Sequence, residues 1–478
     1  MINLIKFKLM SLIARISLEQ RAMLLTIGGM AVSRIFFYST QIFLMLIFVP
    51  SEFGVVAVVM ASVAFANGIS AMGVDAAIIS NQKVTGRFLT AAWIVDLIRG
   101  ILLTLIFVFL GPYIGNYILP ESHLANFLPV IGLSFTILSC RNIGVVCLRK
   151  ELKFERLIVL DVVMISVNCI TTIVLAIIYK SIWAVVGGHL AGALSSTILS
   201  YFLHDFRFYK FRPKGNFLEV ISFSKWIVLG AQINSFLEHG ITFLIAAILG
   251  SSQVAYFDRS DMLTRKTSLQ LSEVLWRVGL PIFSRSSSVL SLLREKYLNL
   301  LFLLSVFSFT LMVIIYLIFS NYSTDIFGDE WGDLEQIIPI FALVGWLTTL
   351  SSINSIYYQA VGIPKVGVKY SMIRFAVIGI CFYPLVMSFG IKGAVMALLV
   401  GVSVTIPLIF EDIRKRIQAT RAVIFWQITL GAIPGICMII LFPLINSGFW
   451  VGDLFIFTFT ALLAISMLYS KIKVSLQF

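Results

Sequence analysis

The stretch VAYFDRSDMLTRKTSLQLSEVLWRVGLPIF, residues 254–283, is long enough to cross a bilayer as one helix. It nevertheless carries seven formal charges: Asp258, Arg259, Asp261, Arg265, Lys266, Glu273 and Arg277. A crossing needs roughly 20 mostly apolar residues. A charge at the bilayer centre costs about 2.5–3.5 kcal/mol on insertion scales, so seven turned toward lipid would outweigh the apolar residues of the same helix. Either the segment lies outside a membrane, or its charges face protein or water. The sequence on both sides of it decides.

Of the 478 residues, 59% are hydrophobic and 12% charged, and the mean hydropathy is +0.99. Soluble domains run at about 45–50% apolar and about 25% charged, so this composition means a membrane protein. The net charge of +13 fits basic residues gathered on cytoplasmic loops beside anionic headgroups. In a chain of this hydropathy the basic residues read as facing headgroups, so nucleic acid is not expected as a partner. The five cysteines, Cys140, Cys147, Cys169, Cys381 and Cys437, stand in apolar runs without paired spacing. They read as small buried hydrophobes, with no metal site expected. The opening MINLIKFKLMSLIARISLEQR has neither a compact apolar core nor a small-residue cleavage site. It reads as an amphipathic cytoplasmic lead-in on the inner surface.

Measured against the length of a crossing, the chain offers fourteen candidate spans: 22–49, 53–73, 88–112, 124–147, 156–179, 182–203, 223–249, 254–282, 297–320, 335–360, 366–388, 392–411, 422–445 and 449–469. The eighth and tenth are the least hydrophobic, which gives a range of 12–14. Charge on the connections tests the count. One side collects basic groups such as Lys6, Lys83, Arg149, Arg212, Arg294, Lys365, Arg414 and Lys471. The other holds only Lys180 and Lys392 among acids such as Glu52, Glu121, Asp329 and Asp453. This alternation follows the positive-inside rule and breaks if any one span is dropped. Both termini are then cytoplasmic, and residues 254–283 are a span. No connection exceeds about 20 residues, where a small soluble module needs at least twice that. Whatever the protein does, it does among its helices.

The charges of the eighth span must therefore face protein or water, and a water-filled cavity follows naturally. On an α-helical wheel Arg259, Lys266, Glu273 and Arg277 share one face. Asp258, Asp261 and Arg265 fall on the other side, with Asp261 and Arg265 spaced for an intrahelical pair. Structural ion pairs are the alternative for Asp261, Glu273 and Arg277. The three cations Arg259, Arg265 and Lys266, so close inside one span, point to an anionic ligand. Arg34 stands near mid-membrane in the first span with Tyr38 and Gln41 one and two turns away. The seventh carries Gln232, Asn234, Glu238 and His239, and Asp75 ends the second. Asp96 and Arg99 read as a structural pair. Arg141 with Asp161, His189 within VVGGHLAG, and Arg374 near a cytoplasmic face each admit a structural or a functional reading.

The first span ends VPSEFGVVAVVM and the seventh ends LGSSQVAYFDRSDM; after the second comes GVDAAIIS, after the eighth VGLPIFSR. Spans seven and eight thus read as a diverged copy of spans one and two in the same orientation, the parallel repeat common among transporters. The expected division is a lead-in over 1–21, a six-helix bundle over 22–203, a cytoplasmic linker over 204–222, a second six-helix bundle over 223–411, and two further spans over 412–478.

These same residues, PSEFG with GVDAAIIS and then LGSSQVAYFDRSDML with VLWRVGLPIFSR, resemble the bacterial polysaccharide transporters of the MOP exporter superfamily. The resemblance covers most of the chain and implies an all-α integral membrane protein with two lobes around a central basic cavity built from spans one, two, seven and eight. It implies a flippase of polyprenyl-pyrophosphate-linked oligosaccharides in the bacterial inner membrane, not an enzyme, working beside a glycan polymerase and other assembly proteins. Arg34, Arg259, Arg265 and Lys266 become its substrate-binding candidates. Asp75, Glu238, His239, Asp258 and Asp261 become candidates for the cavity or for coupling to a proton, Na+ or the membrane potential, with no catalytic residue and no cofactor. The acids among the cations depart from a purely cationic cavity. The alternatives are an ion-coupled multidrug antiporter of the same superfamily and a membrane-embedded glycan polymerase; the short loops count against the polymerase.

Overall fold

The computed structural model describes residues 18–70, 74, 78, 85–120, 122–151, 153–207, 232, 235–286 and 288–445. Asp75, Asn234, the lead-in up to residue 17, most of the linker and the fourteenth expected span lie outside the described residues. Every element described is helical. The chain divides into two compact units, Met1–Ser252 and Gln253–Phe478.

The first unit contains α1 (Leu18–Met45), α2 (Pro50–Ile69), α3 (Gly86–Phe109), α4 (Gly111–Ile118), α5 (Leu124–Ser139), α6 (Val145–Lys150), α7 (Phe154–Tyr179), α8 (Trp183–Leu203) and α9 (Ile241–Leu249). A π turn, Phe236–Gly240, leads into α9. Glycine lets these helices touch, as expected where packing has no water-driven term to exploit. A Cβ on Gly192 would stand 3.0 Å from the Met164 carbonyl oxygen of α7, and one on Gly100 would stand 2.7 Å from the Phe135 carbonyl oxygen of α5. Gly188, beside His189, packs in the same way, since a Cβ there would stand 2.8 Å from the Asn168 carbonyl oxygen. Hydroxyls complete the seams: Thr104 donates to the Gly132 carbonyl at 2.7 Å and Tyr201 to the Cys140 carbonyl at 2.7 Å. The seventh expected span packs on the second. Phe65 of α2 meets Phe236 and Phe243 edge-on at 5.8 and 5.6 Å, and Gln232 donates to the Ile69 carbonyl at 3.1 Å.

In the second unit α10 (Ser251–Asp261), which begins at the boundary, runs through a π turn (Met262–Lys266) into α11 (Thr267–Ser286) without a break. Then come α12 (Leu290–Phe327), α13 (Asp333–Ala360), α14 (Pro364–Ile417) and α15 (Arg421–Ile445). Helix α14, 54 residues long, bends at Gly390, whose φ of 57° and ψ of −134° are not helical. Its two limbs occupy the expected eleventh and twelfth spans. The core gathers Phe283, Tyr297, Leu301, Leu350, Tyr357 and Ile413.

Helices stand at the first thirteen expected positions. Eight of them are long and apolar enough to cross a membrane by length and composition, α14 counting once. The charged helix 251–286 is not among the eight, since its charges are those that opened the question.

The repeat read from sequence reaches further than spans one, two, seven and eight. Helices α5 and α13 share a pattern at a fixed offset: Leu124, Phe127, Leu128 and Ile131 are buried, and so are Leu334, Ile337, Ile338 and Phe341. Pro129 and Pro339 sit inside the two helices at matching places.

Candidate functional site

The charged span resolves into an ionic network of five side chains in the second unit. Asp261, 2% exposed, takes two hydrogen bonds from Arg265, from Nε at 2.5 Å and from Nη2 at 2.7 Å. Asp258 pairs with the neighbouring Arg259 guanidinium, and its other oxygen accepts from Lys266 Nζ at 3.1 Å. Lys266 also stands 3.6 Å from Asp261, so it bridges the two carboxylates. Taking such charges out of water costs several kcal/mol per ion. Mutual pairing and hydrogen bonding offset that cost. Three cations against two carboxylates leave the cluster with a net formal charge of +1.

The wheel reading of this span needs one correction. It set Lys266 on the face opposite Asp258 and Asp261, and the structure brings all three together. The cause is the π turn, which takes one more residue than an α turn. Through it, the eight steps from Asp258 to Lys266 advance about two full turns, and the five from Asp261 about one. The lysine stem then points back toward the N-terminus, as helical side chains do. The expected Asp261–Arg265 pair is present. Glu273 and Arg277 fall on α11, with side chains outside the description.

Helix α13 holds the π turn in place. Gly345 packs so closely that a Cβ there would lie 3.2 Å from the Arg265 Cα. Beside it Ser268 shares a hydrogen bond with Thr349, and the Ser352 hydroxyl donates to Ser272 at 2.8 Å. A seam of small polar residues thus lets one helix lie against the backbone that carries the charges.

The other candidates fall in the first unit. Arg34 is on an exposed face of α1. Glu238 and His239 occupy the second π turn, their side chains 4.0 Å apart, with Glu238 half exposed. Both π turns of the described chain therefore carry residues singled out from sequence, in keeping with the habit of such turns to mark functional positions. Asp96 and Arg99 form the expected pair at 2.8 Å, and Arg99 also donates to Ser70 at the end of α2 at 3.1 Å. Sequence reading missed the surroundings of Arg374. Its guanidinium turns inward and donates to Ser351 of α13 at 2.8 Å, with Thr405 of the second limb of α14 at 3.4 Å. Both partners lie on other stretches of chain, so no local spacing announces them.

This fold is shared with solved structures of membrane transporters. The chain superposes on the lipid II flippase MurJ in its inward closed conformation with a TM-score of 0.73 at 14% identity, covering 94% of this chain and 99% of that one. On the inward-facing structure of a multidrug resistance MATE family transporter of the MOP superfamily the TM-score is 0.68 at 14% identity, covering 82% and 98%. The protein is thus an all-helical, multi-pass membrane protein with a transporter fold. Residues 44–336 match the family described as Polysaccharide biosynthesis protein, and the chain belongs to that family. Among relatives, the lipopolysaccharide biosynthesis protein WzxC of Escherichia coli K12 is 20% identical over 307 residues, covering 63% of this chain and 61% of WzxC. The teichuronic acid biosynthesis protein TuaB of Bacillus subtilis is 22% identical over 301 residues, covering 62% of each. The matches span less than two thirds of either relative.

Proposed function

We propose that the protein is a flippase, carrying polyprenyl-pyrophosphate-linked oligosaccharides from the cytoplasmic to the outer face of the bacterial inner membrane. The observation that carries this reading is the partly buried ionic network of net positive charge in a member of the polysaccharide biosynthesis family. An anionic headgroup finds there a charge that the surrounding apolar helices do not supply. Arg259, Arg265 and Lys266 serve the phosphates, Arg34 is a further candidate for the same role, and the glycan follows while the lipid tail remains in the bilayer. Alternating exposure of the site to the two faces is the mode expected of a parallel-repeat transporter. Asp75, Glu238, His239, Asp258 and Asp261 are the groups through which a proton or Na+ would couple. Basic loops and both termini face the cytoplasm, and the chemistry of glycan assembly belongs to separate enzymes, a polymerase among them.

The test is the sidedness of lipid-linked oligosaccharides in cells with and without the gene, read with an externally added periplasmic enzyme. Complete, inward-facing units accumulate in the deletion. Lys266→Ala and Arg259→Ala fail to clear them at normal protein level, and Lys266→Arg clears them in part. Normal export in both alanine variants overturns the site assignment; unchanged units in the deletion overturn the flippase reading.

One observation favours a second reading. Two of the five network residues are carboxylates, which suits an ion-coupled multidrug antiporter better than a purely anionic cargo would. That reading predicts a loss of resistance to cationic dyes in the deletion, with surface glycan intact.

A further inference from the structure

Among the described cations around the π turn, three are matched to carboxylates and Arg374 is not. Arg259, Arg265 and Lys266 each pair with Asp258 or Asp261. Arg374 stands about 15 Å along α14 from Pro364, deep enough that its charge is not at the helix end. Among the described residues its guanidinium meets two hydroxyls and no carboxylate. The charge acting on it is that of Arg265, another cation. The Thr405 hydroxyl spends its own proton on the Gly401 carbonyl at 2.9 Å, so only its lone pair serves Arg374. The Ser351 oxygen likewise accepts from Arg374, and its proton has no acceptor among the described residues. A half-buried guanidinium beside a like charge, with no counter-anion among the described residues, has its desolvation cost offset only by two neutral hydroxyls.

We infer that Arg374, with the Ser351 hydroxyl, is a binding group for a phosphate oxyanion, and that the anion supplies its counter-charge. With Arg374 the cluster holds four cations and two carboxylates, a net formal charge of +2. That excess matches a diphosphate better than a neutral or cationic cargo. The planar guanidinium fork is built for two parallel bonds to phosphate oxygens, and three of its five N–H donors remain uncommitted to the two hydroxyls. The inference rests on the transport reading for the source of the anion: the diphosphate of a carrier lipid, or the phosphodiester of an ordinary anionic phospholipid. The oxyanion chemistry is common to both.

The test uses the full chain in nanodiscs, with inorganic pyrophosphate as the probe. In phosphatidylcholine discs the wild type binds pyrophosphate, Arg374→Gln binds it about tenfold or more weakly, and Arg374→Lys recovers part of the affinity. Size-exclusion profile and thermal midpoint establish that the variants are folded. A second arm replaces part of the phosphatidylcholine by phosphatidylglycerol. Competition that weakens pyrophosphate binding in the wild type but not in Arg374→Gln assigns the site to bulk lipid; binding indifferent to phosphatidylglycerol assigns it to a diphosphate. Equal binding by wild type and folded Arg374→Gln overturns the inference, as does an absence of binding in the wild type. The sidedness assay separates this from the transport reading. Wild-type flipping with an unaffected Arg374→Gln affinity rejects Arg374 alone, and an Arg374-dependent affinity without flipping rejects transport alone.

Discussion

Asp261 has the least freedom of any charged residue in the network. It is 2% exposed, receives two hydrogen bonds from Arg265 and faces Lys266 at 3.6 Å. Asp261→Ala would leave both cations with a shortage of negative charge inside the helix bundle, a loss expected to cost about 3–5 kcal/mol. Asp261→Asn keeps an acceptor for Arg265 and is expected to cost less. Denaturant unfolding of the detergent-solubilised protein, followed by far-UV signal, would rank wild type above Asn above Ala; an alanine variant as stable as wild type would mean that the pairing contributes nothing. At this scale the sequence is legible where both partners lie on one regular helix. The Asp261–Arg265 and Asp96–Arg99 spacings declare their pairs because three or four residues make one turn. Arg374 declares nothing, since Ser351 and Thr405 reach it from other parts of the chain.

Among the elements, the π turn over Met262–Lys266 does what no residue type announces. It rotates α11 relative to α10 by about the angle of one residue, and so gathers Lys266 with two aspartates that an unbroken α-helix would set apart. The turn also identifies where the helix tolerates a change in length. Removing one residue from it, such as Thr264, converts it to an ordinary α turn and leaves the faces of α10 and α11 in register. Removing Gln270, a turn further on, rotates everything after it by about 100° relative to the helices it packs on. The expected outcome is a folded, monodisperse protein for the Thr264 deletion and loss of folded protein for the Gln270 deletion, measured by fluorescence-detected size exclusion. Equal behaviour of the two deletions would remove the π turn from this account. Gly390 does a related service for α14. Its positive φ is one that other residues adopt at a cost, and the bend divides one 54-residue helix into two limbs.

For the whole molecule, the unequal charge of the two repeats matters most. Aligning PSEFG at 50–54 with GSSQV at 250–254 sets Val58, Val59 and Ala61 of α2 opposite Asp258, Arg259 and Asp261. All three N-terminal residues are buried apolar side chains. One repeat has kept a hydrophobic packing face at these positions where the other has placed ions. On the transport reading, a net negative cargo leaving an inside-negative cell gains about 2.3 kcal/mol per charge per 100 mV, less whatever protein charge moves with it. Flipping in proteoliposomes should therefore speed up when a potassium diffusion potential makes the cytoplasmic side negative. A rate indifferent to the potential would mean that protein cations move along with the cargo and cancel its charge.

Sequence alone determined the membrane class, the helical character and the place of the described helices. These rest on local hydrophobicity and on the length of a bilayer crossing, which a linear reading captures, and the family match agrees with the resemblance read in PSEFG and LGSSQVAYFDRSDML. Only the tertiary structure decided that Lys266 joins the two aspartates and where Arg374 points. The π turn shifts the helix register by one residue without a sequence signal. Hydrogen bonds between helices, such as those from Arg374 to Ser351 and Thr405, depend on contacts between segments distant in the chain. A charge pattern along one helix lists the ions present there, and only the packing of α13 and α14 brings Arg374 to the hydroxyls it meets.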